Sequence, residues 1–132
     1  MKYGRDEIEW EELRAAARRC LIELAEDQVI TDYSSLNRRL VDDTGFAPFD
    51  FNLDRDRAAI GALLGEISRE SYADCGVMLS VLVTHRGGTD EGAGFYRLAT
   101  DLGALPARPS PAQKDTFMSD QVMRSWDLYR RR

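Results

Sequence analysis

The segment Val77-Met78-Leu79-Ser80-Val81-Leu82-Val83-Thr84 constrains the fold of this chain more than any other. It is apolar, rich in β-branched residues and bounded by Gly76 and by Gly87-Gly88. That pattern predicts a strand buried on both faces. Around it the apolar residues recur at helical spacing. Asp6 to about Glu26 predicts a helix on the stripe Trp10, Leu13, Ala17, Cys20, Leu21 and Leu24. Thr31 reads as the N-cap of a second, short helix with Leu36, Leu40 and Val41 on one face and Gly45 as its stop. Asp54 reads as the cap of a third, running to about Ser71 on Ile60, Leu63, Leu64 and Ile67. Gly61 and Gly65, four apart, predict close approach of another backbone. Phe95 to Leu102 reads as extended and then helical, ending at Gly103. Ser110-Pro111-Ala112-Gln113 is a capping box with proline at the first helical position, and opens a last helix towards Tyr129. One β element among these helices gives an α+β, mainly helical chain. The order of three helices, buried strand with glycine turn, and C-terminal helix is winged-helix-like.

The chain of 132 residues is one domain's worth. Residues 1–105 are expected to form the helical, winged-helix-like domain. Residues 106–132 form a proline-rich connector and an amphipathic helix, packed on that domain or on a partner. The charged N-terminus shows no signal peptide, and Val77 to Val83 is far too short to span a membrane. A cytoplasmic location without membrane contact is therefore expected. Cys20 falls on a buried stripe and Cys75 in a loop, so a disulfide is not expected. Phe46, Phe49 and Phe51 surround Pro48 in a loop, and are expected to be pinned into the core beneath it.

Chemical signatures are sparse. His85 is the single histidine, so zinc ligation through several imidazoles is ruled out, and no metal is expected. Asp90, Glu91 and Cys75 are its nearest reactive neighbours in sequence. Gly92-Ala93-Gly94 lacks the third glycine of a dinucleotide fingerprint and no phosphate-loop lysine is present, so no cofactor is expected. Asp42-Asp43 and Asp90-Glu91 are adjacent pairs that point apart. The net charge of −5 weighs against a protein that coats nucleic acid, because phosphate contacts supply most non-specific affinity.

Two resemblances can be read from the residues. Asp56-Arg57, Ile60-Gly61, Leu64-Gly65, Leu79 to His85, Gly92-Ala93-Gly94-Phe95-Tyr96, Leu98-Ala99 and Leu102-Gly103 together resemble a domain family of uncharacterised bacterial proteins. That resemblance brings no activity with it. Val29-Ile30-Thr31-Asp32-Tyr33-Ser34-Ser35-Leu36 resembles the start of the DNA-binding domain of alkylguanine DNA alkyltransferases. Arg57-Ala58-Ala59-Ile60-Gly61 is similar to that family's arginine-bearing recognition helix, with one extra residue between Arg57 and Gly61. Thr84-His85-Arg86 falls where its Cys-His-Arg motif stands. Thr84 replaces the reactive cysteine, so the resemblance implies the order of elements and not alkyl transfer.

Three functions follow as expectations. The first is a non-catalytic accessory or regulatory module of a bacterial system. It acts through a protein partner or a second copy, with Met118, Val122, Met123 and Trp126 as the docking face. The second is a nucleic-acid-binding protein using Arg38, Arg39, Arg55, Arg57, Arg69 and Arg86. The third, and the weakest, is a small hydrolase centred on His85.

Overall fold

The computed structural model describes residues 1–84 and 93–130. The elements run α1 (Glu7–Glu26), β1 (Thr31–Asp32), α2 (Tyr33–Thr44), α3 (Asp54–Cys75), a 3-10 turn (Leu79–Leu82), β2 (Val83–Thr84), α4 (Ala93–Asp101) and α5 (Pro111–Tyr129). The chain is mainly helical, with one small sheet in which β1 and β2 pair in parallel, Thr31 opposite Val83 and Asp32 opposite Thr84. Among the described residues no helix is long and apolar enough to cross a membrane.

The sequence patterns explain most of the helices. Asp6 caps α1 by accepting the Glu9 N–H at 2.8 Å. The α1 stripe is buried at Trp10, Leu13, Ala17, Cys20 and Leu21, with Ala16 and Ala25 added, while Leu24 is half-buried. Full burial of each large side chain contributes about 1.5–3 kcal/mol. Gly45 ends α2 in the left-handed region, at φ 75°. Both halves of the Ser110–Gln113 capping box form at the start of α5.

Several local expectations are corrected. Asp32, not Thr31, caps α2: its carboxylate accepts the Ser35 N–H at 2.7 Å, and Thr31 is taken up by the sheet. Leu53 holds the N-cap position of α3 without a side-chain bond, and Asp54 lies in the first turn as a dipole-favourable acid. The third helix also runs one turn past Ser71 to Cys75, stopped by Gly76 at φ 71°. Cys75 is therefore helical; it is exposed, Cys20 is buried, and both are free. Residues from Ala93 on are helical rather than extended. Gly61 and Gly65 receive no backbone: a Cβ at Gly61 would meet nothing within 4 Å, and one at Gly65 only Leu98 Cδ2 at 4.0 Å.

The largest correction concerns the segment read as a strand. It is buried throughout, as expected, but only Val83 and Thr84 are extended and paired. Leu79–Leu82 coils into a 3-10 turn. A buried backbone must find partners for its polar groups. Here helices supply them from side chains. Ser71 Oγ donates to Val77 O (2.6 Å) and accepts the Leu79 N–H (3.2 Å). Ser68 Oγ accepts the Ser80 N–H (2.9 Å) and donates to Ser80 Oγ (2.6 Å). Gln121 Oε1 of α5 accepts the Met78 N–H (2.8 Å).

The loop between α2 and α3 is fixed from both sides. Phe49 is buried, and Phe46 and Phe51 pack half-buried against the core, as the aromatic cluster predicts. The Asn37 amide bridges the Phe49 backbone, donating to its carbonyl at 2.9 Å and accepting its N–H at 3.0 Å. Arg5 lies over the Phe49 ring at 4.4 Å and donates to Ala47 O at 2.8 Å. Asp56, almost fully buried, accepts the Asp50 N–H at 2.7 Å, and Arg55 Nε at 3.2 Å. The Asp50 N–H, ahead of burial, which opposes it, and of Arg55, holds the Asp56 carboxyl below the usual aspartate range. A folded-state pKa below the unfolded value gives stability that is present at neutral pH and lost as pH falls through the folded pKa. Asp56→Asn is expected to cost about 1–2 kcal/mol at pH 7, a deficit that shrinks as pH falls through the lowered folded-state pKa of Asp56. Urea midpoints across pH 2–7 check this, and a pH-independent deficit would refute it.

Candidate functional site

The clearest open surface lies where α5 meets the residues after α1. Val29 and Ile30 follow the α1 C-terminus and stand 43% and 46% exposed. On α5, Met118, Val122, Met123 and Trp126 recur at three- and four-residue steps and face them. The six side chains line a shallow apolar groove of about 610 Å3. Trp126 Nε1 donates to Val29 O at 3.3 Å and fixes the ring against the opposite wall. The four α5 residues singled out from the sequence are thus brought together, and Val29 and Ile30 join them. Val29 and Ile30 carry no helical period that could place them here from sequence.

The structure explains why this surface stays open. The fully buried residues of α5 are Gln121 and Ser125, not the large apolar ones. Gln121 holds the buried segment after α3, and Ser125 Oγ donates to Gln121 O at 2.8 Å. α5 (Pro111–Tyr129) docks on α1 and on the 3-10 turn with Gln121 and Ser125 fully buried and with Phe117, Val122, Trp126 and Tyr129 packed half-buried against the core. Its apolar stripe lies at the edge, half-covered, with Met123 62% exposed. Gln121→Leu is expected to leave the Met78 N–H without an acceptor, at a cost of about 1–3 kcal/mol. Hydrogen exchange should then show α5 amides exchanging faster than those of α1; unchanged α5 protection would refute the assignment.

The arginines considered for nucleic acid are scattered and mostly engaged. Arg39 pairs with Glu23 and with Asp43. Arg55 pairs with Asp56, and Arg57 with Asp54 and the Phe51 carbonyl. Arg38 donates to Ser35 Oγ at 3.3 Å. Arg69 is exposed in the middle of α3, with no hydrogen bond or ion pair to another described residue. It lines the same cleft as Arg97 of α4, which carries no motif in the sequence. Arg86 and His85 lie outside the described residues, as do Asp90, Glu91 and the turn glycines Gly87, Gly88 and Gly92, while Ala93 and Gly94 of the expected turn open α4 instead. The connection between α2 and α3 spans residues 45–53, longer than the three- or four-residue turn of a helix-turn-helix.

No protein-family profile, no curated protein and no solved structure matches the chain. The site must be read from its own chemistry. Burial pushes the Cys20 thiol up, so it stays protonated and inert within α1. Among the described residues no group of three or more His, Cys, Asp or Glu side chains is placed to hold a metal ion.

Proposed function

We propose that this chain is a non-catalytic interaction module that receives the apolar face of a partner protein's helix in the groove between Val29-Ile30 and α5. The observation that carries the reading is the half-covered stripe Met118, Val122, Met123 and Trp126 facing two exposed aliphatic residues. Apolar side chains grouped in this way on a helical surface suit the anchors of an amphipathic partner. The two methionines let the groove adapt to the shape of those anchors. Glu26 and Asp27 at the α1 end of the groove favour a partner with a basic flank there, while on α5 Asp115, Asp120 and Asp127 are balanced by Lys114, Arg124 and Arg130. The chain as a whole is acidic, at −5.

A photo-crosslinking amino acid at Ser119, an exposed residue on the groove, tests this in cells. The expected adduct is one protein, joined at an apolar segment flanked by lysine or arginine. Ile30→Asp with Met123→Asp should weaken binding of that segment at least tenfold. Stability should stay within about 0.5 kcal/mol, because both side chains are exposed. An adduct made only to a second copy identifies self-association instead. Adducts that ignore the double substitution would overturn the groove as the interface.

A second reading, a winged-helix-like nucleic-acid binder, is supported by the order α1, β1, α2, α3, β2. Anisotropy with mixed-sequence duplex over a salt series separates the two. Binding that weakens steeply with salt and falls with Arg57→Ala favours nucleic acid.

A further inference from the structure

A second cavity lies on another part of the molecule, between α3 and α4. It is a cleft of about 610 Å3, within the size range of small-molecule sites. Its floor is made by what α3 lacks. Gly61 and Gly65 stand one turn apart: a Cβ on Gly61 would meet nothing within 4 Å, and one on Gly65 would just touch Leu98 at 4.0 Å. Leu98 and Phe95 of α4 give it an apolar wall. Two guanidinium groups, from Arg69 of α3 and Arg97 of α4, line it. Arg5, Arg14, Arg18, Arg39, Arg55, Arg57 and Arg124 each face a carboxylate in this structure. Arg69 and Arg97 face none among the described residues; Arg19, Arg38, Arg108 and Arg130 also lack such a pair, but they do not line this cleft. The cleft holds acids too, and one of them is already occupied: Glu66 takes Lys2 Nζ at 3.2 Å and Trp10 Nε1 at 3.2 Å. Asp101 of α4, one turn beyond Arg97, has no such partner among the described residues.

The geometry points to a binding site for a small phosphorylated organic molecule of about nucleotide size. Its phosphate sits between Arg69 and Arg97, because planar guanidinium forks match phosphate oxygens two at a time. Asp101 accepts hydrogen bonds from hydroxyl groups of the ligand, as a carboxylate does with sugar hydroxyls. The bare backbone at Gly61 and Gly65 leaves room for a flat apolar body against Leu98 and Phe95. This site is independent of the groove on α5, and either can fail without the other.

Calorimetry with AMP, ribose 5-phosphate, adenosine and inorganic phosphate tests it on the full chain. AMP is expected to bind saturably and adenosine to bind at least tenfold more weakly. Arg69→Ala and Arg97→Ala should each weaken AMP binding about tenfold, the loss of one charge-assisted contact. Gly61→Leu fills the cleft from a helical position with open space, and keeps a good helix former there. It should abolish AMP binding while the thermal midpoint holds or rises. No heat from AMP or ribose 5-phosphate at millimolar concentration overturns the proposal. So does phosphate binding that is unchanged by Gly61→Leu, which would mark a diffuse surface charge effect.

Discussion

Replacing Ser68 and Ser71 together by alanine is expected to remove about 3–5 kcal/mol of stability, close to the whole margin of a domain at the low end of the usual range. Neither hydroxyl is large and neither makes an ion pair. Their weight comes from what they serve. The segment after Gly76 is buried but has no strand beside it until Val83. Ser71 carries the Val77 carbonyl and the Leu79 N–H, and Ser68 carries the Ser80 N–H and hydroxyl. Removing both leaves at least three backbone groups without partners, where water has little access. Each single variant should cost about 1–3 kcal/mol. Ser119→Ala, an exposed serine, should stay within about 0.5 kcal/mol. Urea unfolding followed by tryptophan fluorescence reads all four. A double variant within about 1 kcal/mol of the parent would show that the segment is hydrated or pairs in another way.

The same serines mark where the sequence stopped being informative. Hydropathy correctly gave Val77 to Thr84 as buried, but burial does not choose between a strand and a turn. That choice was made by Ser68, Ser71 and Gln121, polar residues at core positions of α3 and α5. Read by periodicity, Ser68 and Ser71 are breaks in an apolar stripe. Read by hydrogen-bond supply, they announce a buried backbone that lacks a sheet. The helices were legible because their signals are local: the Asp6 cap, the left-handed glycines at 45 and 76, and the Ser110–Gln113 box. The apolar groove was half legible. Spacing grouped Met118, Val122, Met123 and Trp126, but the opposing wall, Val29 and Ile30, is distant in sequence and carries no period. The cleft between α3 and α4 has no sequence signal of its own. Two glycines on one face suggested close helix packing, whereas here they leave space.

Trp10→Ala is expected to be the most damaging single substitution, at about 3–5 kcal/mol, with the thermal midpoint lower by roughly 10–15 °C. The ring is 1% exposed at the contact of α1 with α3. Residues 1–5 close over it in a tight turn. Lys2 and Arg5 exchange backbone bonds at 2.7 and 2.9 Å, with Tyr3 and Gly4 at positive φ. Tyr3 stacks on the indole at 5.6 Å, and the Lys2 ammonium lies 5.3 Å from its centre. Trp10→Phe separates packing from hydrogen bonding. It keeps most of the buried ring and loses only the Nε1 donor to Glu66, so about 1–2 kcal/mol is expected. Equal losses in the two variants would place the whole effect in the hydrogen bond, and a loss under about 1 kcal/mol in Trp10→Ala would show that the N-terminal turn closes over nothing essential. The Phe variant also reaches the cleft. Glu66 lines it, and Trp10 and Lys2 together direct that carboxylate towards α1. With the indole donor gone, Glu66 is freer to swing towards Arg69, three residues on along the same helix, and to compete there with a bound phosphate. Trp10→Phe should therefore weaken AMP binding severalfold while the protein stays folded, which ties the stability of the N-terminal turn to the charge balance of the site.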